Sequence, residues 1–156
     1  RGREVLRGFF AKQQRAPEHP TLIEEKFSIP VDDFVIVGRW DRVDRRGDEV
    51  VIIDYKSSDV TEQKKADERT RESLQLAVYA LAWHAIHGQL PTRLELRFLE
   101  TGLVGTTGVD EEDLEETKEK LRRVAQGVRA LDFHAQPQDS SCRWCAYQAV
   151  CSFSAV

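Results

Sequence analysis

An aspartate and a lysine two residues apart, Asp54 and Lys56, close the run Val50, Val51, Ile52, Ile53, Asp54, Tyr55, Lys56, Ser57, Ser58. Four consecutive aliphatic residues before Asp54 predict a buried strand, so this carboxylate leaves a core and not a solvated face. Just upstream, residues 34–44 (FVIVGRWDRVD) form a second strand-like run, joined to the first through Arg45, Arg46, Gly47, Asp48 and Glu49. Gly47-Asp48 suits a two-residue hairpin loop. With that loop, Arg46 faces Glu49, Asp41 faces Asp54, and Arg39 faces Lys56. Strand side chains alternate between faces, so Asp41, Asp54 and Lys56 share one face while Asp44, Ile53 and Tyr55 share the other. A register shift by two residues would keep that grouping, and a shift by one would destroy it.

Two carboxylates facing each other across a hairpin repel unless a cation sits between them. A hard divalent ion meets that need: Mg²⁺ (or Mn²⁺) prefers oxygen ligands, keeps several waters, and is held by one or two carboxylates plus substrate phosphate. Asp41 and Asp54 are the candidate metal ligands, and the backbone carbonyl of Tyr55 offers a further oxygen. Such an ion neutralises charge developing on a phosphodiester, while Lys56 positions or deprotonates the attacking water or stabilises a phosphorane-like transition state. The plainer alternative is a surface hairpin with Asp-Arg and Asp-Lys pairs, since D-x-K recurs by chance. The aliphatic run ahead of Asp54 favours the chemical reading.

GRWDRVD, then VVIIDYKSS, then Gln75 and Tyr79 in SLQLAVYALA together resemble the PD-(D/E)xK nucleases of the RecB type, which include the nuclease domains of RecB, AddA and AddB and the CRISPR-adaptation nucleases. The resemblance implies an α/β fold with a restriction-endonuclease-like core, a central mixed sheet flanked by helices, over residues 1–156 with a cysteine-containing tail at 132–156. It makes Asp41 the motif-II aspartate, Asp54 and Lys56 the D-x-K pair, and Gln75 and Tyr79 a Q-x-x-x-Y element that supports DNA at the active site. The implied activity is metal-dependent hydrolysis of DNA, exonucleolytic before endonucleolytic. The implied setting is the C-terminal part of a helicase-nuclease in double-strand-break repair and recombination. DNA and a helicase domain or subunit are then the partners. The helicase link rests on resemblance alone, because no G-x-x-x-x-G-K-[ST] loop is present. The family's upstream helix, which often carries a metal-contacting histidine, is not recognisable. A chain that starts at Arg1 and contains no Met reads as a piece of something longer. The rival reading is a catalytically silent module of the same fold that binds DNA or docks a helicase; a third is a single-strand endonuclease acting alone.

At 156 residues the chain has the length of one domain with a real core. Hydrophobic residues at 40% and charged residues at 32% describe an ordinary soluble protein. It has no membrane-spanning run and no secretory signal, which reads as cytoplasmic. A net charge of -4 argues weakly against a nucleic-acid partner. However, much of the acidity lies in residues 110–119 (DEEDLEETKE), whereas Arg39, Arg42, Arg45, Arg46, Lys56, Lys64, Lys65, Arg69 and Arg71 lie near the proposed site.

The elements follow from periodicity. Residues 3–15 suit a short helix with Val5, Leu6, Phe9 and Phe10 on its apolar face, ended by Pro17 and Pro20. Residues 21–30 favour a strand. Its Glu24 or Glu25 is placed to approach the metal, with plain surface charge the default for a glutamate. Residues 57–65 read as a mobile polar connection whose lysines reach phosphate. Residues 67–87 read as one helix with Leu74, Val78, Leu81 and Ala85 recurring at helical steps, and with Gln75 and Tyr79 four apart on a common face. Tyr79 equally suits a core position. His84 and His87 suit the helix C-terminus before Gly88 without any metal. Residues 94–99 alternate as a strand with Leu94, Leu96 and Phe98 on one face, and Gly102, Gly105 and Gly108 then break the pattern. Residues 110–131 read as a long helix striped by Leu114, Leu121, Val124, Val128 and Leu131.

The tail holds the second chemical signal, Cys142, Cys145 and Cys151 in SSCRWCAYQAVC. C-x₂-C-x₅-C spacing brings thiolates to one soft metal or cluster, with zinc and His134 as one option. A cytoplasmic chain rarely uses such cysteines as disulfides. Together with the preceding DFHAQP, the tail resembles that of AddB-type and CRISPR-adaptation nucleases, in which three C-terminal cysteines and one far upstream hold a [4Fe-4S] cluster. By that resemblance Cys142, Cys145 and Cys151 are cluster ligands, and the fourth ligand is missing from this chain.

Overall fold

A computed structural model describes residues 2–15 and 19–156. Pro17, expected to help end the first helix, lies outside the described residues. The chain divides into two compact units, Arg1–Leu121 and Arg122–Val156. In the first unit, helix α1 (Gly2–Arg15) precedes strands β1 (Leu22–Val31), β2 (Phe34–Arg46) and β3 (Glu49–Lys56). Helices α2 (Gln63–Arg71) and α3 (Leu74–His87), strands β4 (Arg93–Phe98) and β5 (Val104–Thr107), and the start of α4 (Glu111–Arg129) follow. The strands form one mixed sheet in the order β1-β2-β3-β4-β5. Only β3 and β4 run parallel, because α2 and α3 cross between them; every other neighbouring pair is antiparallel. This is the expected α/β fold with a mixed sheet flanked by helices.

The core lies on the face of the sheet that α3 covers. There Val43, Val50, Ile52, Leu94, Leu96 and Phe98 pack with Leu76, Ala80, Leu81 and Trp83. The expected stripe on α3 is shifted: Leu74 and Ala85 are exposed, while Leu76, Tyr79, Ala80, Leu81, Ala82 and Trp83 are buried. So much of the helix is apolar that the period alone does not select the buried side. The helix expected over residues 67–87 is two helices. Glu72 ends α2, and the extended Ser73 caps α3 by accepting the Leu76 N–H at 3.3 Å. Gly88, with φ 70°, closes α3 in the left-handed conformation that its position requires.

The glycines at 102–108, expected only to break the pattern, flank and include strand β5. At Gly105 a Cβ would stand 2.2 Å from the Ala66 carbonyl oxygen and 2.2 Å from Thr70 Oγ1, so α2 lies almost directly on β5. Gln63 Nε2 donates to the Val104 carbonyl at 2.8 Å, and Asp67 Oδ1 accepts the Thr106 N–H at 3.0 Å. Along α4, Leu114 is buried and Leu121 packs on the core, but Val124 and Val128 are exposed; Leu131, expected in the same helix, lies beyond its end and is also exposed. Among the described residues, no helix is long and apolar enough to cross a membrane.

In the second unit, α5 (Asp139–Cys142) is one helical turn, followed by a short 3₁₀ segment at Gln148–Val150. Trp144, Tyr147, Val150 and Phe153 are exposed. A Gly105→Ala substitution should lower stability by about 1–3 kcal/mol through overpacking against the α2 backbone. Urea unfolding of the two proteins measures this directly; an unchanged midpoint would show that α2 does not press on β5.

Candidate active site

The hairpin has the register that its loop predicts, with Arg46 opposite Glu49 and Arg42 opposite Ile53. Pairing of β2 with β3 stops at Arg42. From there β2 stays with β1 and β3 stays with β4, as far as Lys56 opposite Phe98. The two strands therefore part at the next rung, where Asp41 and Asp54 stand. Arg39 does not reach the expected position opposite Lys56; it pairs with Lys26 of β1, and its guanidinium lies 2.8 Å from Glu24. In place of the next ladder bond, Asp41 Oδ2 accepts the Tyr55 N–H at 3.2 Å.

The β1-β2 ladder also skips one rung, Glu24 opposite Asp41, while keeping its register on both sides through Ile23-Arg42 and Glu25-Trp40. Glu24 has φ 52°, unusual for a side-chain-bearing residue inside a strand. The burial phase switches here. Trp40 and Val43, of opposite parity on β2, are both in the core, as are Phe27 of β1 and, at its margin, Leu22. The out-of-phase step lets Trp40 reach α3, where its indole N–H donates to the Tyr79 carbonyl at 3.2 Å, without turning Asp41 away from Asp54.

From Asp54 a chain of contacts runs to α3. Lys56 Nζ lies 2.6 Å from Asp54 Oδ2 and donates to Gln75 Oε1 at 2.6 Å, and Gln75 Nε2 donates to the Tyr79 hydroxyl at 2.8 Å. Gln75 and Tyr79 sit on successive turns of α3, as their spacing predicts, with Gln75 exposed and Tyr79 buried. Tyr79 joins both readings of its sequence: its ring packs edge-on against Phe27 in the core, and its hydroxyl is at the site.

Asp54 is 1% exposed. Burial pushes its carboxyl above the ordinary aspartate value; the Lys56 ammonium pulls it down, and the neighbouring Asp41 pushes it up again. Its Oδ2 lies 2.6 Å from the Lys56 ammonium. A buried carboxylate beside a second carboxylate suits a hard cation. Burial likewise raises Tyr79; the Gln75 hydrogen bond opposes the shift, and the charges of Asp41, Asp54 and Glu24 add to it. Glu24, half-exposed and paired with Arg39, is thus close enough to bear on the same hydroxyl. Its period-two position does not reveal this, because the phase switch occurs at Glu24 itself.

On the opposite face of the sheet, Arg42 donates to both carboxylate oxygens of Asp44, at 2.7 and 2.6 Å, and to the Tyr55 hydroxyl at 3.2 Å. Phe9 of α1 stands edge-on to the Tyr55 ring, 5.7 Å between centroids. A cavity of about 640 Å³ lies between α1 and the β4-β5 turn, lined by Val5, Phe9, Phe98 and Leu103, and none of Asp41, Asp54 or Lys56 lines it.

A family model described as the PD-(D/E)XK nuclease superfamily matches residues 1–152. The chain belongs to this superfamily. That assigns it a nuclease fold and suggests nuclease activity. Among solved structures, "Crystal structure of SSO0001" is similar at TM-score 0.55 and 16% identity, covering 96% of this chain and 67% of that one. At that identity the likeness speaks for the fold. No curated protein matches significantly.

Among the described residues, no group of three or more His, Cys, Asp and Glu side chains is gathered to hold a metal ion, Cys142, Cys145 and Cys151 included. All three are free thiols; Cys145 and Cys151 are exposed and Cys142 half-exposed.

The buried charge of Asp54 has a consequence for stability. Its folded-state pKa lies above the unfolded value, so the folded chain binds this proton more tightly, and stability is lost as pH rises through the interval between the two values. Asp54→Asn removes that cost. The variant should melt at a higher temperature than the parent at neutral pH, with the gap closing as pH falls toward the ordinary aspartate range. Thermal unfolding across pH checks the sign, and a gap that widens on acidification would contradict it.

Proposed function

We propose that this chain is a metal-dependent deoxyribonuclease unit that hydrolyses phosphodiesters of DNA at Asp41, Asp54 and Lys56. The single observation that carries the reading is the Asp54-Lys56-Gln75-Tyr79 chain of contacts, anchored on a carboxylate that is 1% exposed. A structural ion pair would not need to be buried at a point where two strands part. Asp41 and Asp54, with the Tyr55 carbonyl, would hold Mg²⁺ or Mn²⁺, which supplies Lewis-acid charge for displacement at phosphorus. Lys56, held between Asp54 and Gln75, keeps an ammonium directed at the scissile phosphate or the attacking water. Gln75 and Tyr79 fix that ammonium and present polar groups to the DNA backbone. Tyr55 contributes through its main chain, since its N–H already orients Asp41.

Exonucleolytic action, a helicase domain or subunit as partner, and a role in double-strand-break repair follow the RecB-like resemblance of GRWDRVD, VVIIDYKSS and the Gln75/Tyr79 element. The silent-module alternative keeps the same DNA surface without turnover. Asp54→Ala and Lys56→Ala should each lower Mg²⁺- or Mn²⁺-dependent DNA cleavage by about a hundredfold or more with the fold retained. Cleavage at the parent rate by either variant would overturn the catalytic assignment. DNA binding without cleavage by the parent would select the silent module.

The [4Fe-4S] reading of the tail is supported by C-x₂-C-x₅-C and its resemblance alone, and no step of the reaction above depends on it. Three thiols without a fourth cysteine should hold a cluster weakly or not at all in this chain by itself. Iron, sulfide and zinc analysis with a visible absorption spectrum decides it. Stoichiometric iron and sulfide would show that the cysteines close on a cluster after all, and stoichiometric zinc without iron would replace the cluster by a structural zinc site.

A further inference from the structure

Around the carboxylates, some cations have an anionic partner. Lys56 lies against Asp54, Arg39 against Glu24, and Arg42 against Asp44, while on α2 the ammonium of Lys64 is 3.9 Å from Glu68. Arg69 is among those that do not. Its guanidinium donates to Ser58 Oγ at 3.3 Å, and no carboxylate pairs with it among the described residues. Ser58 follows Lys56 by two residues, so the free charge stands beside the segment that leaves the D-x-K pair.

The orientation of α2 is not free to vary. Ala66 and Thr70 are buried, and Gln63 and Asp67 are hydrogen-bonded to β5. At 100° per residue, that anchoring places Lys65 and Arg69, four apart, together on the flank of α2 away from Gln63 and Asp67. Like charges at this spacing weaken a helix. The helix thus keeps Lys65 and Arg69 as neighbouring cations with no carboxylate paired to either among the described residues, and Arg69 is tied to the segment after the catalytic lysine. An anion supplied from outside would pair with both.

We infer that Arg69 and Lys65 form a phosphate-binding pair for the DNA strand as it passes the D-x-K segment. The inference rests on the nuclease reading and deepens it by naming where the backbone is held. Both side chains are exposed and contact phosphate without reading base identity. In the chain alone the Arg69 guanidinium rests on Ser58 Oγ, a contact that the phosphate replaces.

The test is binding of a fluorescent single-stranded oligonucleotide to the full chain, with Ca²⁺ replacing Mg²⁺, over a series of salt concentrations. Arg69→Ala and Lys65→Ala should each weaken binding severalfold for every sequence tried and reduce the slope of log K against log salt by about 0.7. Arg69→Lys should retain the slope. Ser58→Ala removes only the hydrogen bond and should leave the slope as it is. In turnover assays with Mg²⁺, Arg69→Ala should raise KM several-fold with kcat within about twofold of the parent. If the parent binds and cuts DNA while both alanine variants keep its slope, the phosphate pair is wrong and the nuclease stands. A Ser58→Ala variant that reproduces the Arg69→Ala loss would also overturn the pair, reducing Arg69 to a loop tether. A parent chain that neither binds nor cuts DNA would remove the nuclease reading and this inference with it.

Discussion

A carboxylate with almost no solvent exposure, at the end of an aliphatic strand, is the constraint on which this structure turns. An unpaired ionised Asp54 in that position is unfavourable by several kcal/mol, so its neighbours must compensate. The compensation is asymmetric. Lys56 supplies one charge, but Asp41 adds a second carboxylate where hydrophobic packing alone would have placed none. A fold selected for stability alone would put an aliphatic residue at either position. The parting of β2 from β3 at this rung and the phase switch at Glu24 are the backbone changes that make room for the carboxylates while the surrounding core stays continuous.

Much of this was legible in the sequence for a simple reason: the hairpin is local. Gly47-Asp48 sets the register, and the register puts Asp41 and Asp54 on one rung without knowledge of any distant contact. Gln75 and Tyr79 were readable because helical spacing alone places them on one face. What could not be read is where local rules are suspended. Period two fails at Glu24 and between Trp40 and Val43, because both strands step out of phase at the same rung. The end of the β2-β3 ladder depends on long-range packing, which is why Arg39 meets Glu24 and not Lys56. Strand β5 was hidden because Gly105 reads as a breaker; it is glycine because α2 lies too close for a side chain. The break at Ser73 was visible as a capping residue but lost inside a continuous apolar pattern. In the tail, spacing described which thiols could meet, not what would bring them together.

The back of the sheet carries its own polar layer. Arg42 is buried; burial works against its charge, yet the hydrogen bonds to Asp44 and Tyr55 outweigh that and hold it firmly protonated. Beside it, Glu95 is buried between Arg93 and Arg97, at 2.8 and 3.0 Å. The strands that carry the carboxylates are thus polar on both faces near the site, and the aliphatic run Val50-Ile53 is the partition between the two layers. Displacing Tyr55 disturbs both at once, because its hydroxyl belongs to the rear layer and its N–H to Asp41.

The way α2 lies on β5 also gives the sheet a direction of growth. At that margin Gln63 occupies the Val104 carbonyl and Asp67 the Thr106 N–H, two groups an incoming strand would need. Side chains there do the work of a sixth strand. Among the described residues the other margin, β1, pairs only with β2, and Glu25, Lys26 and Pro30 stand along it. An added strand would therefore find its open edge on the β1 side. A sheet closed at one end and guarded by charge at the other lengthens in one direction or not at all.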